Sequence, residues 1–279
     1  MSGIFGVFLV LQLLLPSGEA YGETICSNNR GRNMYQCVSD DDVSNLLVPY
    51  RPQQQTSRVL SIKGNFISMQ ISPKCTHFDD VTVSSPRLAE YPEALRSFTG
   101  LEFIKVIDSG LTAIDFAVFP ISLIDLDLSG NRIRRLRNVH RLALLENLSV
   151  LAMPRNKLKS FPLGSLPSSM THLMLRGNGA RWNQAEVEVL NRQLFFVKHF
   201  RVLNLKGNHL RCNCSSFRSH QLRKFDPKIS PKCDYVRCFM CHWLKRDRLD
   251  ISFKSNDQIE LGGGTLYVPA IEHCFNNTE

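Results

Sequence analysis

The densest cluster of reactive side chains is Cys238-Phe239-Met240-Cys241-His242. It has the form C-x-x-C-H, in which two thioethers can hold a porphyrin while the imidazole ligates its iron. Together with Cys212 and Cys214, the same two cysteines have a spacing that could ligate zinc. A C-x-x-C pair can also exchange electrons, given a βαβ frame around it. No haem-enclosing helical pattern or βαβ pattern surrounds these residues. Six cysteines crowd this part of the chain: Cys212, Cys214, Cys233, Cys238, Cys241 and Cys274. Three more, Cys26, Cys37 and Cys75, lie near the N-terminus, and residues 76–211 contain none. In an oxidising compartment such cysteines pair. We therefore expect disulfides among Cys26, Cys37, Cys212, Cys214, Cys233, Cys238, Cys241 and Cys274, with no cofactor and no metal. A c-type haem redox protein using Cys238, Cys241 and His242 is kept only as the enzymatic alternative. Nine cysteines leave one over. Cys75 is the candidate for a link to a second chain, since Cys26 and Cys37 could close a hairpin. No G-x-S-x-G, H-E-x-x-H or P-loop motif occurs, so no catalytic residue is expected and the chain reads as a non-enzyme.

The oxidising compartment follows from the start of the chain. Residues 4–15 form an apolar run of signal-peptide length, followed by the small residues Ser17, Gly18 and Ala20. Cleavage after Ala20 is expected, so residues 1–20 are set aside as a signal peptide. No later segment reaches 18 consecutive apolar residues, which leaves no expected membrane span. The expectation is a secreted, extracellular protein. Sequons at Asn147, Asn213 and Asn276 are then glycan candidates, with Asn147 and Asn276 preferred because Asn213 sits between two cysteines.

Positioning elements emerge from an internal repeat. Residues 123–133 read LIDLDLSGNRI, matching L-x-x-L-x-L-x-x-N-x-L with Ile in the last place. The same frame fits seven units, starting at Ser57, Phe78, Leu101, Leu123, Leu148, Met170 and Phe200, at spacings of 21, 23, 22, 25, 22 and 30 residues. In a strand the alternate apolar residues point to one side, so Leu126, Leu151, Leu173 and Leu203 should share a buried spine. One unit cannot bury its apolar set alone, whereas stacked neighbours can. Asn65, Asn131, Asn156, Asn178 and Asn208 should satisfy buried backbone groups in the turn. Pro86 and Ser109 interrupt that ladder. On the backs of the units, Pro162 and Pro167 predict extended segments. Residues 183–194 read as a capped helix with Val187, Leu190 and Leu194 at helical spacing.

This pattern resembles the extracellular leucine-rich-repeat family over roughly residues 26–274. Residues 35–38 leading to 56–60 look like its cysteine-bearing N-terminal cap, and Asn208-His209-Leu210-Arg211-Cys212-Asn213-Cys214 looks like the start of its C-terminal cap. The resemblance implies an α/β solenoid, a horseshoe with a concave parallel sheet and disulfide-bonded caps. The expected division is a cap over 21–56, repeats over 57–211, and a cysteine-rich cap and tail over 212–279. It also implies binding of a protein or glycan ligand rather than catalysis. A matrix or assembly subunit, disulfide-linked to a partner, is the structural alternative.

On that fold the concave face is the default binding surface. Its expected residues are Asp79, Asp80, Glu102, Asp108, Asp125 and Asp127 early in the chain, and Arg155, His172, Arg176, Arg201 and Lys206 later. Lys63 and Lys105 interrupt the acidic half. The face would run from acidic to basic, an arrangement that steers a complementary partner; the plainer reading is charge for solubility. Residues 198–248 hold thirteen Lys or Arg against three Asp, a local +10 where the whole chain carries +9. Arg223, Lys224, Lys245 and Arg246 lie in this patch, which could contact an anionic glycan. A second basic cluster runs through residues 132–141. Nothing in the sequence reads as a nucleic-acid motif.

Overall fold

The computed structural model describes residues 21–22, 25–29, 33–49, 57–75, 77–183, 185–186, 201–210, 249–254, 258–261 and 264–267. In chain order the strands are β1 (Tyr21–Gly22), β2 (Ile25–Asn29), β3 (Met34–Val48), β4 (Val59–Ile71), β5 (Asp80–Ser84), β6 (Phe103–Val106), β7 (Ala113–Asp115), β8 (Asp125–Asp127) and β9 (Arg135–Arg137). They continue as β10 (Val150–Ala152), β11 (His172–Met174), β12 (Arg181–Trp182), β13 (Val202–Asn204), β14 (His209–Leu210), β15 (Leu249–Lys254), β16 (Gln258–Leu261) and β17 (Gly264–Tyr267). One sheet of thirteen strands runs the length of the stack. From β3 through β13 its neighbours pair in parallel, one repeat to the next.

The expected spine is present. Leu126 pairs with Leu151, Leu151 with Leu173, and Leu173 with Leu203. Upstream, Leu60, Val81, Ile104 and Leu126 continue the same row. Each of these side chains is at most 1% exposed. Burying a leucine side chain contributes about 1.5–3 kcal/mol, so the row is a main source of the fold's stability. The chain is thus a stacked, leucine-rich solenoid on a parallel sheet.

The backs of the repeats depart from an α/β reading. They carry short 3-10 turns at Glu93–Ser97, Phe116–Val118, Val139–Leu144 and Leu163–Ser165. The last interrupts the extended path expected around Pro162 and Pro167. Proline fixes φ but admits a turn directly after it. Among the described residues, α-helical geometry is confined to Ala185–Glu186. A reciprocal cap stands there: Glu186 N–H donates to Asn183 Oδ1 at 3.0 Å, and Asn183 N–H donates to Glu186 Oε2 at 2.8 Å. Val187, Leu190 and Leu194 lie outside the described residues. So do Arg223, Lys224, Lys245, Arg246, Asn213, Asn276 and every cysteine from Cys212 onward.

At the N-terminal end, β2 runs antiparallel to β3, and the disulfide Cys26–Cys37 joins the two directly across the pair. Cys75 is 0% exposed, and burial pushes its thiol up to about 11. Linkage to a second chain through Cys75 would require opening the core. At the other end β15 adds antiparallel to β13, and β16 and β17 extend the sheet as a meander. No repeat signal marked those three strands. Among the described residues no helix is long and apolar enough to cross a membrane.

Candidate functional site

The turn that follows each strand explains how the open sheet face is held. Asn131, Asn156, Asn178 and Asn208 stack in this turn, one per repeat. Each amide nitrogen donates to at least two carbonyls, including one in its own repeat and one in the repeat before. For Asn156 these are Met153 O at 3.2 Å and Leu128 O at 2.9 Å, and its Oδ1 accepts from Ile133 N–H at 3.0 Å. Asn178 and Asn208 repeat the pattern. Asn65 does not join them: β4 runs straight through it, and its amide meets the Asp42 side chain instead. Phe66, not Ile67, fills the apolar place there, at 0% against 46% exposure. Pro86 was expected to interrupt the ladder, and its neighbour Ser85 supplies a rung there instead. The Ser85 hydroxyl accepts from Phe66 N–H at 2.9 Å and donates to Phe66 O at 2.6 Å, while Ser85 N–H donates to the Ser109 hydroxyl at 3.0 Å.

Strand alternation then decides which side chains look outward. Two columns flank the spine. The first is Val59, Asp80, Phe103, Asp125, Val150, His172 and Val202. The second is Ser61, Thr82, Lys105, Asp127, Ala152, Met174 and Asn204. Of the eleven residues expected on this face, Asp80, Asp125, Asp127 and His172 stand on these columns. Asp79, Glu102 and Arg201 sit on the edge where the chain enters each strand, stacked by backbone bonds such as Glu102 N–H to Asp79 O at 2.9 Å. Asp108, Arg155, Arg176 and Lys206 lie on the opposite edge, in the turns. The expected acidic-to-basic gradient therefore does not run along the face. Its lysine and arginine members are on the rims, and the later columns are largely apolar: Val150 and Met174 are half-buried, while Ala152 and Val202 are already buried. Phe103 and Met174 belong to the face and were missed as candidates, although the period-two alternation about each spine residue marks their positions; Lys105, expected as an interruption of the acidic half, stands on the face as well.

Several expected residues are already engaged. Asp79 pairs with Arg58 at 2.8 Å. Asp127 accepts from Ser129 N–H at 2.9 Å. The His172 ring nitrogen Nδ1 lies 2.7 Å from the Thr171 hydroxyl. Asp108 pairs with Arg155 at 3.3 Å, bridging over the intervening Gly130 turn. Asn147 is exposed in the turn before β10, its amide donating to Ile121 O at 3.0 Å.

Asp80 and Asp125 differ from these. They occupy the same register row on either side of Phe103, and both are half-buried. Asp80 Oδ1 is closed off from solvent and has no hydrogen-bond partner among the described residues. Burial raises the carboxyl pKa of both, with neighbouring carboxylates adding to the rise and Lys105 opposing it. Lys105 sits on the strand between them. This is a small charged platform with an aromatic centre, set on a rigid sheet.

No family model matches the chain. No curated protein matches it either. Among solved structures, an internalin from Listeria monocytogenes str. 4b F2365 is similar at 17% identity and a TM-score of 0.36, over 60% of this chain and 54% of that one. The chain thus spans about half the length of the internalin chain it matches.

Proposed function

We propose that this chain is a non-catalytic recognition protein that holds a protein partner against the open face of its sheet. What carries the reading is the change along that face. It begins with the half-desolvated Asp80 and Asp125 around Phe103 and Lys105, and ends in the apolar, half-buried Val150 and Met174. A carboxylate lacking its full set of hydrogen bonds gains most from a guanidinium or ammonium group. An aromatic ring between two such carboxylates can take the same cation on its face. The apolar columns suit side chains that lose water on docking. A protein segment offers both chemistries, whereas a glycan offers little to the second, so we favour a protein over a glycan.

Export through residues 1–20, glycans on Asn147 and Asn276, disulfide pairing of the later cysteines, and an extracellular partner belong to this reading. So does an anionic-glycan contact at Arg223, Lys224, Lys245 and Arg246. The test uses the mature chain, residues 21–279, immobilised to capture extracellular proteins. Three forms are compared: the unaltered chain, an Asp80→Lys/Asp125→Lys double variant, and Arg176→Glu on the rim. We expect one partner to be retained by the first and third, and to bind the double variant on the order of tenfold more weakly or worse. A partner held equally by all three would overturn the reading.

A further inference from the structure

We propose a second binding surface: the flank beyond the asparagine turns is a docking track for a linear sulfated polysaccharide. Between Asp127 and Glu186 the chain holds ten Lys or Arg and a single carboxylate, Glu146. The fold gathers half of these on one flank. Arg132 and Arg134 follow Asn131, Lys157 and Lys159 follow Asn156, and Arg181 follows Asn178. All five are exposed. Their backbones are bonded rung to rung: Arg134 N–H to Thr112 O, Lys157 N–H to Ile133 O, and Arg181 N–H to Lys159 O, each at 2.9 Å. Hydrogen-bonded neighbours of this kind lie about 4.8 Å apart, so the cations form a continuous line along the stack.

The line works against stability. Like charges on adjacent bonded segments repel, whereas opposite charges placed there would stabilise the pair. The four ion pairs among the described residues involve none of the five. A rigid row of uncompensated cations is what a polyanion needs, since the protein bears the cost of aligning the charges before binding. Guanidinium groups also match the oxygens of a sulfate bidentately. Single-stranded nucleic acid would need rings to stack on, yet the nearby Phe116, Phe161 and Trp182 are at most 1% exposed. A membrane would call for a broad plane rather than a line.

The test is retention of the full mature chain on immobilised heparin, with affinity measured over a series of NaCl concentrations. The variant Arg134→Glu/Lys157→Glu/Lys159→Glu/Arg181→Glu should bind roughly tenfold more weakly or worse, with a shallower dependence of log Kd on log salt. An unchanged thermal midpoint shows that this variant is folded. Should it not fold, the same four changes to Gln take its place, with the same direction expected. Reversal of Arg223, Lys224, Lys245 and Arg246 should leave the contribution of the flank intact. Asp80→Lys/Asp125→Lys should retain heparin binding, which separates this surface from the sheet face. Three results would each overturn the proposal: elution unchanged by the flank variant, equal retention on desulfated heparin, or tighter binding to duplex DNA or to anionic phospholipid vesicles than to heparin.

Discussion

The two halves of the solenoid close the same turn with different atoms. From Asn131 onward, each turn is filled by an amide that reaches at least two carbonyls and one N–H, tying two repeats together. In the earlier half a hydroxyl takes the place, at Ser85 and Ser109. It reaches fewer groups, although Ser85 both donates to and accepts from the backbone of Phe66. The outward columns differ too, charged in the first half and apolar in the second. What the two halves share is the buried spine. A repeat must bury its apolar row and satisfy its turn, and any side chain that meets those demands will serve. The outward columns carry neither duty and can diverge.

The sharpest way to break the comparison is to remove one rung from each half. Asn156→Ala leaves Ile133 N–H and the carbonyls of Leu128 and Met153 without this partner in a buried turn, where Asn156 itself is 5% exposed. Each buried group left unsatisfied costs about 1–3 kcal/mol, so a loss of about 3 kcal/mol or more is expected. Ser85→Ala deprives two groups, both on Phe66, and should cost about 2 kcal/mol or more, less than Asn156→Ala. Urea unfolding with unchanged m-values checks the ranking. An equal loss at both sites would mean that the amide and the hydroxyl do the same work.

This contrast also separates what was legible in the sequence from what was not. The spine was legible because buried apolar residues must recur at the repeat period, and Leu126, Leu151, Leu173 and Leu203 do stand in register. Asn131, Asn156, Asn178 and Asn208 were legible for the same reason. Ser85 was not, because a hydroxyl reaches the Phe66 backbone only when that backbone lies close, and closeness is a property of the packed stack. Asn65 misled, since its frame position is correct but β4 continues past it without turning. The site suffered most. Arg155, Arg176 and Lys206 are basic and near the strands, yet they sit in the turns. The residues that do share the face, Phe103 and Lys105, carry no repeat signature, because outward positions are free to vary.

A smaller contrast lies in the residue before each turn asparagine. Gly130, Gly177 and Gly207 adopt φ of +70° to +75° there, while Asp108 and Arg155 hold left-handed φ of 45° and 56° in the equivalent places. A Cβ on Gly130 would land on the Asp108 carboxylate. Gly130→Ala should therefore cost about 1–2 kcal/mol from backbone strain, with displacement of Asp108 in addition. Arg155→Gly relieves the same kind of strain and loses only an exposed ion pair, worth about 0–1 kcal/mol. It should be neutral or slightly stabilising. A clear loss from Arg155→Gly would show that the Asp108–Arg155 pair outweighs the strain it imposes.

The weakest expected effect tests the charged half of the face against the apolar half through pH. Burial raises the carboxyl pKa of Asp80 and Asp125 above the ordinary 3.8. The folded state then holds each proton more tightly than the unfolded state does. Ionised, the two groups oppose folding; the penalty is present above the folded pKa and lifts as pH falls through it toward 3.8. Asp115 has the opposite sign, because hydrogen bonds from the Asn138 side chain and Ala117 N–H lower its pKa, so its contribution is lost as pH falls. The difference between parent and variant isolates the first effect from the second. Asp80→Asn and Asp125→Asn should each stabilise at pH 7, by less than about 1 kcal/mol given their partial solvent screening. The gain should shrink as pH approaches the ordinary carboxylate range. On the proposed function, removing these carboxylates would thus strengthen the fold while weakening the partner, and a variant destabilised equally at every pH would show instead that these two carboxylates serve the fold.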